Sequence, residues 1–204
     1  MTAHLLTTIE QLDAHYGRPS DRAITKEIPR LNAPYRAFIE HAPFVALATS
    51  GPEGLDCSPR GDAPGFVRII DDGTLALPDR PGNNRIDSLR NIVRDPRVAL
   101  LFLVPGAGET LRVNGRASIS VEPDLLVSFA VGGKAPRAVV LVTIESVYFQ
   151  CSKALTRSKL WDPSRHVAPG TLPSAGAMLA AVSRGFDATA YDAALPERLK
   201  QTLY

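Results

Sequence analysis

The residues best suited to chemistry lie in Leu77 to Asn91, LPDRPGNNRIDSLRN, which carries Arg80, Arg85 and Arg90, a Pro-Gly turn and two asparagines before a helical pattern begins. A helix start offers N–H groups without partners inside the helix and the positive end of the backbone dipole. A guanidinium and a hydroxyl beside it, here Arg85 and Ser88, complete a cradle for phosphate. The same residues also suit a capped surface helix with solvated arginines, and the stretch alone leaves both readings open.

Three further stretches carry polar chemistry. In Ser58-Pro59-Arg60-Gly61-Asp62, an arginine at a strand end followed by glycine lets the backbone approach an anion that the guanidinium binds. It also fits a hairpin turn with an Arg–Asp surface pair. Thr110, Arg112, Asn114 and Arg116 alternate along one strand, so they share a face that meets either solvent or a polar ligand. In CSKALTRSKLW, Cys151 to Trp161, Lys153 and Arg157 are four apart and share a helical face next to the only tryptophan. That trio suits a phosphate and a ring system, or a core tryptophan with snorkelling cations.

No set of acid, base and nucleophile appears. GxSxG, HExxH and P-loop motifs are missing, and His4, His15, His41 and His166 are scattered. Cys57 and Cys151 belong to no CxxC pair, so a zinc site or disulfide framework is not expected. Catalytic residues are therefore unknown, no metal is expected, and cationic cradles of this kind suit a cofactor that carries its own chemistry.

The elements that must position these residues are legible in outline. Helical patterns cover Ile9 to Tyr16, a short run from Ser20 to before Pro29, and Pro34 to Glu40; these helices are expected to pack on a sheet. Strands follow at Phe44–Thr49, Leu55–Arg60, Gly65–Ile70 and Thr74–Leu77, with turns at Gly51-Pro52-Glu53-Gly54 and Asp71-Asp72-Gly73. A helix over Ile86–Arg94 precedes strands at Arg97–Val104 and Thr110–Ser120. A short helix near Pro123–Ala130 then leads to a strand over Ala138–Phe149. A short helix after Ser152, an irregular linker and helices near Ala175–Val182 and Ala188–Leu203 complete the chain. Six or seven strands without a βαβ rhythm favour a mainly β (α+β) antiparallel barrel with flanking helices over a Rossmann sheet.

Composition sets the outer limits. The 204 residues are 45% hydrophobic and 22% charged, which suits one globular domain and excludes wholesale disorder or a coiled-coil rod. A net charge of +2 does not suggest a nucleic-acid or membrane-surface protein. The start, Met1 to Leu6, lacks the basic and apolar regions of a signal peptide, and the dense apolar run Val98–Val104 is too short to span a bilayer. A soluble, cytoplasmic protein is the expectation. One domain is expected over 1–204: helices over 1–42, barrel over 43–151 and a helical extension over 152–204.

The order of these motifs resembles the pyridoxamine 5'-phosphate oxidase-like family of FMN-binding split barrels, and in particular a branch of probable FMN-dependent proteins. The resemblance covers about Phe44 to Trp161 and rests on FVALATSGPEGLDCSPRGD, TLALPDRPGNNRIDSLRNIVRDPRVALLFLVPG, ETLRVNGRA and FQCSKALTRSKLW. It implies a six-stranded antiparallel split barrel acting as a homodimer, with FMN in a groove where the subunits meet. It further implies Arg60, followed by Gly61, near the FMN phosphate. Asn83, Asn84, Arg85 and Ser88 would lie in the phosphate loop and helix start. Thr110 and Arg112 would sit at the flavin's polar edge, and Gln150, Lys153, Arg157 and Trp161 would come from the partner subunit. The activity implied is FMN-dependent oxidation or reduction of an unidentified small molecule. The alternative is a non-catalytic module that binds or senses a flavin, haem or deazaflavin. The C-terminal YDAALPERLKQTLY lacks the Arg- and Pro-rich signature of the true oxidases, so pyridoxamine phosphate is not the expected substrate.

Overall fold

A computed structural model describes residues 4–204; Met1 to Ala3, part of the start read above as no signal peptide, lie outside it. Seven strands form one antiparallel sheet: β1 (Phe44–Gly51), β2 (Gly54–Gly61), β3 (Arg68–Asp71), β4 (Thr74–Asp79), β5 (Arg97–Leu103), β6 (Thr110–Ser120) and β7 (Ala138–Gln150), in the order β2-β1-β5-β6-β7-β4-β3. The expected six-stranded closed barrel is therefore corrected to an open seven-stranded sheet. The hydrogen-bond ladder stops at β2 and β3, and β3 is shorter than read because the chain from Gly65 to Val67 is not extended into the ladder.

Alternation of side chains across the pleat divides each central strand. Val45, Leu47, Leu100, Phe102, Leu111 and Val113 turn inward and are almost fully buried, together with Leu75, Leu77, Val140 and Val142 from the other side. Burial of this cluster is the main favourable term holding the sheet. Gly115 sits where the β6–β7 register shifts; a Cβ there would lie 2.1 Å from the Thr143 carbonyl oxygen, so only glycine fits without backbone movement.

The helices divide into those that pack and those that do not. Of α1 (Ile9–Tyr16), α2 (Asp21–Thr25) and α3 (Ala33–His41), only α3 buries side chains, Tyr35 and Ile39. The expectation that all three pack on the sheet is corrected. Helix α1 is closed by a capping box, Thr8 with Gln11, yet its apolar residues stay exposed. Its stability is local.

Helix α4 (Asp87–Arg94) lies against β1, β2 and β6. Its Asn91 side chain is buried and donates to Thr49 of β1 at 3.1 Å, and Ile92 joins the core. Asn91 fills the space where a side chain at Gly51 would be. These contacts fix the helix, and through it the position of Ser88 one turn earlier. Helices α5 (Pro123–Ser128), α6 (Lys153–Ser158), α7 (Ala175–Ala180) and α8 (Ala188–Thr202), with a 3-10 turn at Pro163–Arg165, complete the described chain. No helix among the described residues is long and apolar enough to cross a membrane.

Candidate functional site

A cleft of about 430 Å³ opens where the end of β2, the end of β4, the loop of residues 80–86 and the start of α4 meet. Five of the residues expected in a phosphate site line it: Arg60, Asn83, Asn84, Arg85 and Ser88. Gly61 ends β2 beside them, and a Cβ added there would lie 3.3 Å from the Pro43 carbonyl oxygen.

The loop backbone is unusual. Asn84 and Ile86 both take left-handed conformations, with φ of 59° and 54°. Asparagine tolerates this region, but a β-branched isoleucine does not, and such strain commonly marks a functional site. Ile86 is also the N-cap of α4 and offers no side-chain acceptor to the helix. The first N–H groups of α4 are therefore left without a side-chain cap, and the positive end of the helix dipole faces the cleft wall.

Arg60 is held from several sides. Its Nη1 donates to Asp79 at 2.8 Å and its Nη2 to the Ser88 hydroxyl at 3.3 Å. Its Nε is buried and has no partner within the chain. Ser88 and Ser58 both donate toward Asp56, at 2.5 and 2.8 Å. Asp56, Ser58 and Arg60 stand at alternate positions of β2, so one face of that strand carries all three.

A second pair lies alongside. Arg80 Nε meets Asp62 at 2.8 Å, and its Nη1 donates to the Phe129 carbonyl at 2.9 Å. The Tyr204 hydroxyl donates to the other Asp62 oxygen at 2.7 Å. Burial alone would raise the Asp62 carboxyl, but the Tyr204 hydroxyl, the Ala63 amide and Arg80 together hold it below its ordinary value. The same hydrogen bond pushes the Tyr204 phenol up. The two pairs have opposite polarity: β2 supplies Arg60 and, just past its end, Asp62, while β4 supplies Asp79 and, just past its end, Arg80. They join two strands that are not hydrogen-bonded neighbours.

The other expected site residues lie elsewhere. Thr110 and Arg112 of β6 pair with Gln150 and Tyr148 of β7. Arg112 donates to the Tyr148 hydroxyl at 2.9 Å, and Gln150, with its carbonyl oxygen turned to the guanidinium, accepts from Arg112 Nη2 at 2.9 Å. Register places Arg112 in the row Pro59–Ala46–Leu101–Arg112–Tyr148, whereas Arg60 belongs to the adjacent row of Val45, Phe102 and Leu111. Adjacent rows point to opposite faces, and three strand steps of about 4.8 Å separate β2 from β6. Lys153 and Arg157 are exposed on α6, and Trp161 donates to the Ala107 carbonyl at 2.8 Å. One chain therefore builds two groups of expected residues and does not bring them together.

The model of the family described as pyridoxamine 5'-phosphate oxidase matches residues 31–151, more than half of the sequence. The chain belongs to this family. The matched span of the pyridoxamine 5'-phosphate oxidase family runs from just before α3 to the end of β7, and so includes the cleft and the Arg112 group alike. No functionally curated protein matches the chain. Among solved structures, HupZ from Group A Streptococcus is 20% identical, with 60% of this chain and 95% of that one covered and a TM-score of 0.47. An F420 reductase is 19% identical, with 59% and 98% covered and a TM-score of 0.43. General Stress Protein 26 from Bacillus anthracis str. Sterne is 16% identical, with 55% and 88% covered and a TM-score of 0.43.

Sequence reasoning quoted Ser58 and Asp79 within its candidate stretches without assigning them to the site, and missed Asp56 and Arg137; all four line the cleft. The period of two along β2 carried the signal for Asp56 and Ser58, since they share a face with Arg60. Nothing comparable marks Asp79 or Arg137, whose places depend on the β4–β7 pairing.

Proposed function

We propose that this member of the pyridoxamine 5'-phosphate oxidase family is an FMN-binding flavoprotein that oxidises or reduces a small molecule. The observation that carries the reading is the orphaned Arg60 Nε beside the uncapped start of α4. A buried guanidinium nitrogen without an acceptor costs free energy, and an incoming phosphate oxygen would satisfy it. The residues present fit such a group: Arg60, Arg85 and the first amides of α4 would hold the phosphate, with Asn83 and Asn84 at the rim. When bound, the flavin supplies hydride and electron transfer.

The chain's own residues then have defined tasks. Asp79 orients Arg60, and Asp56 orients Ser88 and Ser58, so the donors of the cleft are set before a ligand arrives. Arg112, fixed by Tyr148 and Gln150, would face the ring's polar edge, where negative charge collects on reduction.

A homodimer is part of the same proposal. Arg60 and Arg112 lie on opposite faces of the sheet, so a single ligand reaches both only if a second copy supplies one of them. The outer face around Arg112 carries Ala46, Ala48, Ala99, Leu101 and Leu103, all half-buried, which suits an interface. Lys153, Arg157 and Trp161 would enter from the partner.

A second reading, binding of a flavin, haem or deazaflavin without turnover, draws on the carboxylates of the cleft. Among the described residues, Asp79 is tied to Arg60, Asp87 to Arg85 and Asp56 to two serines. None is left as a free acid or base. The deciding experiment is the absorption spectrum of the purified protein, followed by FMN titration and turnover with artificial electron acceptors. A flavin spectrum with turnover supports the enzyme, a flavin spectrum without it supports the binding module, and failure to bind FMN at micromolar concentration refutes both flavin readings.

A further inference from the structure

The cleft is lined by four arginines, and three of them already face a carboxylate: Arg60 with Asp79, Arg80 with Asp62 and Arg85 with Asp87, each at 2.8 Å. The fourth is Arg137. Among the described residues its contact is the Asn84 side-chain oxygen, at 3.1 Å, and no carboxylate pairs with it. Asp79 pairs with Ala138 in the β4–β7 ladder, so extending that register by one residue sets Arg137 across from Arg80 at the mouth of the cleft. Arg137 is exposed and reaches across to Asn84, one of the two left-handed residues of the 80–86 loop.

Resting on the proposal that a phosphate-ended cofactor occupies this cleft, we infer that Arg137 is the residue that selects the phosphate. A dianion entering the cleft gains less from a guanidinium whose charge a neighbouring carboxylate already shares than from one with a neutral partner. Arg60 offers its orphaned Nε but keeps its charge shared with Asp79, Arg85 keeps its charge shared with Asp87, and reaching Arg80 loosens Asp62. Reaching Arg137 releases only an amide oxygen, and the guanidinium exchanges a neutral acceptor for a charged one, the stronger of the two hydrogen bonds. Arg137 thus adds the unshared charge that separates a cofactor ending in phosphate from one ending in a hydroxyl, while Arg60, Arg85 and the first amides of α4 supply hydrogen bonds to the same group.

The test compares FMN with riboflavin, which lacks the phosphate, by quenching of flavin fluorescence on binding to the wild-type protein, Arg137→Gln and Arg137→Lys. FMN binding by the wild type establishes the parent reading, and its absence overturns parent and inference together. Given wild-type binding, Arg137→Gln is expected to weaken FMN about tenfold and leave riboflavin unchanged, with Arg137→Lys retaining most of the FMN affinity. Unchanged FMN affinity in Arg137→Gln, or an equal loss for both flavins, refutes the inference while the parent reading stands. Because Arg137 is exposed, both variants are expected to unfold at the wild-type temperature, and that measurement accompanies the titration.

Discussion

Replacing Arg60 by alanine should destabilise the protein even when no cofactor is present. Its partner Asp79 is only 15% exposed and Arg60 itself 21%, so the pair sits between the fully buried and the solvent-exposed cases. Breaking a buried pair costs about 3–5 kcal/mol and an exposed one less than about 1. A hydrogen bond to a charged group is worth about 1.5–3 kcal/mol. These bracket the loss at about 2 kcal/mol for Arg60→Ala, or a fall of about 4–8 °C in Tm for a chain of this length. Asp79→Ala alone should cost a similar amount, because it leaves the guanidinium unpaired. The double variant should lose less than the sum, with a coupling of about 1–2 kcal/mol. The assay is urea unfolding of cofactor-free protein at one fixed protein concentration, so that neither ligand nor assembly shifts the midpoint. A coupling below about 0.3 kcal/mol would show that the two side chains do not depend on one another. The same result would remove the argument that Arg60 is pre-set by Asp79.

Three other outcomes follow from particular residues. The Asp62 carboxyl is held below its ordinary value of 3.8, so its contribution is complete above that pH and disappears as pH falls through the lower folded value; Asp62→Asn should flatten the acid limb of the stability–pH curve measured by thermal unfolding. Ile86→Gly removes a β-branched residue from left-handed backbone and should raise stability by about 1 kcal/mol, read as a higher urea midpoint. Gly115→Ala drives a methyl against the Thr143 carbonyl and should cost about 2 kcal/mol or more, visible as a lower Tm with the spectrum of any bound cofactor otherwise retained.

Much of the fold was legible because its signals are local. The alternation in Thr110–Ser120, the apolar run at Arg97–Val104 and the turn at Gly51–Gly54 each report on neighbours a few residues away, and the strands lie within a residue of where those patterns put them. The closure of the sheet was not legible. Whether β2 and β4 join by a hydrogen-bonded ladder or by side chains depends on curvature summed over seven strands, which no short window records. The failure of α1 and α2 to pack has the same origin, since an apolar stripe such as Ile9, Leu12 and Tyr16 shows that a helix has a face but not what covers it. At the site, the loop and Arg60 could be read from residue type, because arginine, asparagine and a helix start have recognisable chemistry. Their carboxylate partners could not. Asp79 belongs to Arg60 and Asp62 to Arg80 only because two strands, 18 or 19 residues apart in sequence, curve toward each other.

The crossed pairs between β2 and β4 give the fold a fastening that answers to dissolved ions. Amide–carbonyl rungs are nearly indifferent to ionic strength, whereas guanidinium–carboxylate contacts weaken as electrolyte accumulates, though less when they are partly covered. Concentrated salt would therefore loosen this one line of the sheet ahead of the rest, giving a tunable opening beside the cleft in a structure otherwise held by apolar packing.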